Sequence, residues 1–324
     1  YQENIFAAYF NITRDWEQWS LDLGLRAEQT EVMATSKNLG EVNNQYYFEL
    51  FPKMSLLYTA NENNSFGLSY SRSIARPNYE SLNPFRYFIN ENNYTDGNPN
   101  LVPEIDSKYT FSYTHNNTWF LEAYYWHIKN PLEELRFQNN TTRALQNLET
   151  NLIKGYQYSL DVTYAKSVTS WWYLQVVTSG FFIENEFLAQ QSAQQTALAN
   201  TYGFYGQIYS GLVLSEQANI TSDVTALYIS NLIFGSYTYK NQFNLSASVR
   251  KKIWDKKASI TLGVDDIFNT NNIPVVSRYA NQDNGYFART ESRLFRVGFT
   301  YNFGNSKLRD NNREITTKES DRLN

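Results

Sequence analysis

The sequence of 324 residues contains no cysteine and only two histidines. Without thiols it has no disulfide framework, no zinc–thiolate site and no cysteine nucleophile. It also has no apolar run approaching the ~18 residues that a membrane-spanning helix requires. Basic residues do not dominate, because 28 lysines and arginines stand beside 32 aspartates and glutamates. We therefore expect no nucleic-acid partner, since that would require a clustered basic surface.

The two histidines, His115 and His127, have no carboxylate at metal-ligand spacing beside them. A structural or solvated role is therefore favoured over metal binding or catalysis. The pair Asp265 and Asp266 could suggest calcium, but it lacks the further spaced oxygens of a calcium loop, so we interpret it as a structural strand end. The sequence thus predicts no catalytic residue, no metal site and no cofactor.

Aromatic residues, in contrast, are abundant. They make up 17% of the chain, although its mean hydropathy is only -0.55. Strands that alternate apolar and polar residues produce this combination, and aromatic girdles at the two lipid interfaces of a membrane barrel add to it. The same aromatic content argues against intrinsic disorder.

The segment 292–304 shows the alternation most clearly. One face carries Phe295, Val297, Phe299, Tyr301 and Phe303, and the other carries Leu294, Arg296, Gly298, Thr300 and Asn302. Successive side chains of a strand point to opposite faces, so this pattern predicts a strand with one aromatic and one polar face. We predict about 13 such strands, near 1–13, 19–28, 46–59, 65–73, 109–113, 119–128, 158–164, 171–183, 202–214, 224–232, 242–250, 259–264 and 292–304.

The connections between these strands alternate in length. Short ones lie near 14–18, 60–64, 115–117, 166–170, 215–221 and 251–257, and long ones lie near 33–45, 76–104, 129–155, 184–200, 232–241 and 269–291. Within one of the long ones, the Gln/Ala-rich stretch 189–199 suggests a loop or one or two helical turns. Short periplasmic turns and long outer loops are typical of a transmembrane antiparallel β-barrel, which is the fold that we predict.

Charged residues test this prediction. A charge that faces lipid at mid-membrane costs about 2–4 kcal/mol. In the best-patterned strands the charged side chains all lie on the polar face, namely Asp22, Arg26, Asp161, Arg250 and Arg296.

An odd strand number has its own consequence. Single-chain bacterial barrels have an even number of strands, so about 13 strands cannot close antiparallel. We therefore expect further strands upstream of Tyr1. Residues 1–304 would then form the C-terminal portion of an outer-membrane β-barrel, and residues 305–324 a polar disordered tail.

Several motifs resemble the barrel of Bacteroidota TonB-dependent receptors. They are SRSIARPNYESLNPF at 71–85, GNPNLVPE at 97–104, GVDDIFN at 263–269 and the YNFG ending at 301–304. The resemblance implies a barrel of 22 strands, of which this chain would supply the last 13 or so. It also implies an N-terminal plug with a box that engages the TonB system, neither of which is in this sequence, and it leaves room for a surface lipoprotein as a partner.

The connection 76–104 is the best candidate for ligand binding, because barrel loops on a rigid scaffold commonly carry binding. It holds four prolines and an Asn-rich run. Arg86 could fork to a carboxylate or phosphate. The aromatic candidates are Tyr87 and Tyr94, and the amide candidates are Asn90, Asn92 and Asn93.

Arg278 and Tyr279, in the connection 269–290, are weaker candidates. The alternative for both connections is an ordered loop that packs on its neighbours. The pair Glu133 and Glu134 is interpreted as a solvated loop pair.

The function that these patterns favour is import of a scarce ligand (a glycan, peptide or siderophore) across the outer membrane of a Gram-negative cell. The alternatives are an outer-membrane hydrolase, for which His127 lies near an outer strand end, and a passive porin or adhesion barrel.

Overall fold

The computed structural model describes residues 2–36, 41–190, 192–193 and 195–303. Its elements in chain order are β1 Gln2–Asp15, β2 Trp19–Ser36, β3 Glu41–Asn61, β4 Asn64–Ala75, α1 Tyr79–Leu82, β5 Tyr87–Asn90, β6 Asn93–Asp96, β7 Glu104–His115, β8 Trp119–Lys129, β9 Leu132–Asn139, β10 Ala144–Asn151, β11 Lys154–Ser167, β12 Trp172–Ala189, β13 Gln195–Ser215, β14 Ile220–Ile229, β15 Leu232–Phe234, β16 Tyr237–Tyr239, β17 Gln242–Ile253, β18 Ala258–Asp265, β19 Ile273–Tyr279, β20 Gln282–Ala288 and β21 Leu294–Tyr301. Among these residues, no helix is long and apolar enough to cross a membrane.

Thirteen strands form one antiparallel sheet, which we call the wall, in the order β1-β2-β3-β4-β7-β8-β11-β12-β13-β14-β17-β18-β21. This confirms the strand number and the antiparallel architecture predicted from the sequence. The tail 305–324 and residues 37–40 of the predicted long connection lie outside the described residues.

The register of the last hairpin fixes its two faces. Phe295 lies opposite Val264 and Val297 opposite Leu262, whereas Arg296 lies opposite Gly263. Since directly opposite residues share a face, apolar side chains collect on one side and polar side chains on the other. Val297 is 80% exposed, as expected for a side chain that faces lipid rather than a protein core.

An aromatic stripe crosses six neighbouring strands on the lipid face. Its members are Tyr70, Tyr109, Tyr125, Tyr158, Phe182 and Tyr202, with successive ring centroids 4.6, 6.1, 4.8, 6.3 and 4.7 Å apart. Each aromatic pair of this kind adds about 0.5–1.5 kcal/mol beyond simple burial. Because each ring sits beside its registered neighbour, the stripe favours the observed register over one shifted by a residue.

Short turns join the strands at one end of the wall. Asn116 and Asn117 both have positive φ, 52° and 49°, in the turn between β7 and β8. Tight hairpin turns require this left-handed backbone, and asparagine tolerates it better than most residues.

Four wall strands are much longer than a membrane crossing needs. The two hairpins β2–β3 and β12–β13 contain strands of 18 and 21 residues. The expectation of a loop or helical turns across 189–199 is wrong for residues 195–199, because β13 already begins at Gln195, and β12 runs to Ala189. Leu198 is exposed while Ala197 and Ala199 pack inward, so the alternation continues there, hidden by the small alanines.

The long connections fold into two further four-stranded sheets. The first loop sheet has the order β5-β6-β10-β9, and the second has the order β15-β16-β19-β20. A core of buried side chains joins the first loop sheet to the wall; it comprises Leu135, Phe137, Leu148, Leu152 and Phe187, with Ala197, Ala199 and Tyr279 packed against it. The outer loops are therefore ordered structure held against the inner face of the wall.

Candidate ligand-binding loops

Arg86 lies just before β5, and its exposed side chain pairs with β6 of the first loop sheet. Its Nε and Nη2 donate to the two carboxylate oxygens of Asp96 on β6, at 2.9 and 3.1 Å. Its guanidinium also stacks on Tyr94, 4.0 Å from the ring centroid. Hydrogen bonding to Asp96 raises the pKa of Arg86, so the side chain remains charged. The fork that the sequence suggested for a ligand is thus filled by a carboxylate of the chain itself.

A cleft of about 680 Å³ opens beside Arg86. Its lining includes Pro84, Arg86, Phe88, Asp96, Gln146 and Leu148. Gln146 Nε2 donates to the same Asp96 carboxylate, at 2.9 Å, and the Phe88 ring is 65% exposed. The cleft thus presents an aromatic ring, amide groups and an arginine whose charge is neutralised by Asp96. This lining suits a polar ligand that combines stacking with hydrogen bonding.

The other candidates of this loop divide by role. Tyr87 is 68% exposed at the sheet edge. The Asn90 side-chain oxygen accepts from the backbone N–H of Asn92, at 2.9 Å, and closes the turn between β5 and β6. The side-chain oxygen of Asn93 accepts from Asn147 Nδ2, at 2.8 Å. Arg86 and Tyr94 are therefore brought together, while the Asn90 and Asn93 amides have partners within the loop sheet.

Arg76 anchors the start of this loop to the wall. It donates to Glu28, which is 2% exposed on β2, and to Thr30 Oγ1 at 3.2 Å. Its Nε also lies 3.3 Å from a carboxylate oxygen of Glu3 on β1. Burial is the largest single effect on Arg76 and disfavours its charge, but hydrogen bonding to Glu28, the charge of Glu28 and the interaction with Tyr47 together outweigh it and raise the pKa.

Gly97 allows the end of the loop to close on its beginning. A Cβ at this position would lie 1.9 Å from the backbone oxygen of Asn83, so only glycine fits. The adjacent Asn98 N–H donates to Ser81 O at 2.6 Å, and Leu101 is 1% exposed. The motif of residues 97–104 is thus a packing device that positions the cleft.

The two candidates of the later loop have different surroundings. Arg278 Nε donates to Asp283 Oδ1, at 2.9 Å, in an exposed pair. Tyr279 lies inside, where its hydroxyl donates to Arg136 O at 3.1 Å and its ring meets the edge of Phe187 at 4.9 Å. Burial raises the pKa of Tyr279. Tyr279 therefore joins the second loop sheet to the core.

Sequence reasoning missed the arginine at the contact between the loop sheets. The guanidinium of Arg136 lies over the rings of Tyr237 and Tyr286, at 5.2 and 5.1 Å. A signal was present, because Leu135 and Phe137 alternate with Arg136 and predict a strand with Arg136 on its polar face.

The solvated interpretation of the Glu133–Glu134 pair is wrong for its first member. Glu133 lies on β9, half-buried, near the carboxylates of Glu104 and Glu149. Burial, and then the charges of those two neighbours, raise the pKa of Glu133 to about 7. Glu134 is exposed, as expected.

This raised pKa predicts that the first loop sheet loosens as pH rises. Glu133 favours the folded loop fully below its ordinary pKa of 4.5 and loses that contribution as pH rises through about 7. The loss should reach about 2–3 kcal/mol of local opening free energy. Amide hydrogen exchange of β9 and β10 at pH 5 and pH 8, corrected for intrinsic rates, should show it. Glu133→Gln should abolish the difference and Glu134→Gln should keep it; an unchanged difference in Glu133→Gln contradicts this assignment.

The remaining polar candidates have structural partners. His115 Nδ1 lies 2.9 Å from Asn64 Oδ1, and His127 stacks on Tyr156 at 5.0 Å. Asp265 pairs with Arg296 at 2.6 Å. Within the described ranges, no group of three or more His, Cys, Asp or Glu side chains could hold a metal ion.

Asp266 is fully buried and accepts several hydrogen bonds. Its carboxylate receives the backbone N–H groups of Thr270 and Asn271, both at 3.0 Å, and Ser292 Oγ at 2.5 Å. Its φ is +44°, in the left-handed region. Asp266 therefore ties the outer end of β18 to the segment that enters β21.

Comparison with known proteins gives two results. A family model described as "Outer membrane protein beta-barrel family" matches residues 1–301. No curated protein sequence matches the chain significantly.

Similar solved structures include the siderophore receptor PiuA from Acinetobacter baumannii, with 14% identity and a TM-score of 0.59 over 91% of this chain and 43% of that one. The ferric-catecholate import receptor Fiu from E. coli has 14% identity and a TM-score of 0.59 over 93% of this chain and 45% of that one. The copper transporter OprC has 10% identity and a TM-score of 0.62 over 93% of this chain and 48% of that one. The chain thus shares their fold and spans less than half of their length.

Proposed function

Because the chain belongs to the outer membrane protein beta-barrel family and is an outer-membrane protein, we propose that it is the barrel portion of a TonB-dependent receptor that imports a scarce ligand. In this proposal the full barrel has 22 strands, a plug fills its lumen, and the TonB system supplies the force that displaces the plug. The motifs at 71–85, 97–104 and 263–269 support the narrower assignment to the Bacteroidota type.

The observation that carries the proposal is the placement of the outer connections. A passive pore needs an open lumen, whereas here two loop sheets lie against the inner face of the wall. They leave a cleft of about 680 Å³ that is large enough for a small ligand. The names of the similar structures, a siderophore receptor, an import receptor and a copper transporter, support the same kind of activity.

Uptake by the full-length protein tests this proposal. A strain whose only such receptor is this protein should take up one class in a panel of labelled oligosaccharides, peptides and ferric siderophores. Uptake should stop when TonB is deleted, while the amount of folded barrel in the outer membrane stays the same. Uptake that continues without TonB would instead identify a passive barrel.

Arg86→Ala should weaken ligand uptake at least several-fold, because it removes one side of the cleft and leaves Asp96 without its bidentate partner. Heat-modified migration of the barrel on a gel should not change, since this ion pair is exposed and lies outside the wall. Lys154→Gln is the matched control, because it also removes one positive charge and one ion pair, at the rim with Glu186. Uptake kinetics equal to those of the unmodified receptor would exclude a role for Arg86.

A further inference from the structure

Arg136 presents a positive charge with little compensation. Its one ion pair within the described ranges is with Glu134, at 4.0 Å. Arg86 and Arg278, by comparison, each have a carboxylate oxygen at 2.9 Å. In addition, the buried Nε of Arg136 has no hydrogen-bond partner in the described part of the chain.

Aromatic rings fix the direction of this guanidinium. It lies over Tyr237 and Tyr286, whose ring centroids are 6.5 Å apart in an edge arrangement. Stacking holds a guanidinium by its faces and leaves its N–H edge for a planar acceptor such as a carboxylate. A side chain held in this way loses little conformational entropy when a ligand binds.

A second donor beside Arg136 is also unsatisfied. Tyr237 is 5% exposed, and its hydroxyl has no hydrogen-bond partner among the described residues. Burial raises the pKa of Tyr237, so the hydroxyl remains a donor at neutral pH. An unpaired buried hydroxyl is energetically unfavourable, and an added acceptor would relieve that cost.

The position of the cluster suits an incoming ligand. Leu135 and Phe137 pack on the wall, and Arg136 lies between them in sequence on the opposite face of β9. That face is directed away from the wall and contacts the second loop sheet through Tyr237 and Tyr286. Tyr286 is 41% exposed, so the cluster is open on that side.

We propose that Arg136, Tyr237 and Tyr286 form an anion subsite that binds a carboxylate group of the imported ligand. This inference rests on the proposed import function and adds a chemical class to it: the ligand carries at least one anionic oxygen group. The Arg86 cleft, whose arginine is neutralised by Asp96, would take the uncharged part of the same molecule.

Binding of a small dicarboxylate to the purified full-length protein tests the subsite. Succinate is the probe and the uncharged succinamide its comparison, both titrated at constant ionic strength and followed by ligand-observed NMR. We expect succinate to bind more tightly than succinamide. Arg136→Gln should weaken succinate binding at least tenfold, and Arg136→Lys should weaken it less, because a point charge remains.

Two further variants separate binding from structure. Tyr237→Phe should weaken succinate binding severalfold without lowering the protection of the second loop sheet in hydrogen exchange, since its hydroxyl has no partner in the free protein. Arg143→Gln, an equal charge change at the exposed turn between β9 and β10, should bind succinate as the unmodified protein does. Succinate binding that is unchanged in both Arg136→Gln and Tyr237→Phe overturns the proposal. Loss of TonB-dependent uptake bears on the import function alone, because the titration does not require transport.

Discussion

Asp266→Ala should destabilise the folded barrel by about 3–5 kcal/mol, since it removes a fully buried carboxylate that accepts hydrogen bonds from three donors. Those donors are the N–H groups of Thr270 and Asn271 and the hydroxyl of Ser292. The alanine would also have to adopt a φ of +44°, which costs about 1 kcal/mol or more for a residue with a Cβ and no local hydrogen bond. The lost contacts join β18 to the entry of β21, so the last hairpin should be affected first.

The measurement is the midpoint of urea unfolding of the full-length protein in detergent micelles, with heat-modified gel migration as a second reading. Asp266→Gly separates the two causes, because glycine accepts the backbone conformation but supplies no acceptor. Asp265→Ala is the neighbouring control; it removes an exposed pair with Arg296 and should cost about 1 kcal/mol or less. Equal midpoints for Asp265→Ala and Asp266→Ala would contradict the structural role of Asp266.

Arg76→Ala should cost about 2–3 kcal/mol and release the first outer loop from the wall. Glu28 is 2% exposed, and among the described residues the loss of Arg76 leaves it with the ion pair to Arg26 and a long hydrogen bond from Thr30 Oγ1, at 3.4 Å. An uncompensated buried carboxylate is strongly destabilising, although the remaining pair and the partial exposure of Arg76 reduce the effect here. Limited proteolysis between residues 77 and 103 should become faster, and ligand uptake should fall with it.

The double variant Glu28→Gln with Arg76→Ala checks the cause. Removing the buried charge should recover part of the lost stability, as the coupling between two contacting groups requires. Lys53→Ala is the control, because its pair with Asp22 is long, at 3.8 Å, and its side chain is 65% exposed. Proteolysis of Arg76→Ala at the rate of the unmodified protein would show that other contacts hold the loop.

The wall could be predicted from the sequence because a membrane strand alternates between apolar side chains that face lipid and polar side chains that face the lumen. The face on which each residue of β21 lies follows from its own polarity, because apolar side chains face lipid and polar ones face the lumen. Its neighbours in the fold need not be known. The prediction failed where side chains are small, since alanines at 197 and 199 look alike on either face. The predicted strands β2 and β3 were also too short, because polar residues at their outer ends interrupt the alternation of apolar and polar side chains.

The loop site was only partly predictable. Arg86 and Tyr94 were found by residue type, but no local pattern shows that Asp96 fills the fork of Arg86. The contact of Arg136 with Tyr237 joins residues a hundred positions apart and depends on how two loop sheets meet. Such long-range pairs depend on tertiary packing, and no local pattern in a single sequence indicates which distant residues will meet.

The unequal lengths of the wall strands give the barrel an uneven rim. β13 has 21 residues and β18 has 8. At about 3.3 Å per residue and a tilt of about 40°, β13 rises about 50 Å and β18 about 20 Å, against an apolar band of about 25 Å. The β12–β13 hairpin therefore stands well above the cell surface, while the wall near β18 ends close to it.

Large particles that approach the cell from outside would contact the high and low parts of this uneven rim differently. An antibody or a phage tail that approaches from above first touches the tall hairpins β2–β3 and β12–β13. From the low side of the rim, the second loop sheet is the first part encountered, because its strands arise from the connections that flank β17 and β18. If the protein acts as the proposed receptor, binders raised against the intact cell should block ligand capture when their epitope includes residues that line the cleft, such as Arg86 or Phe88.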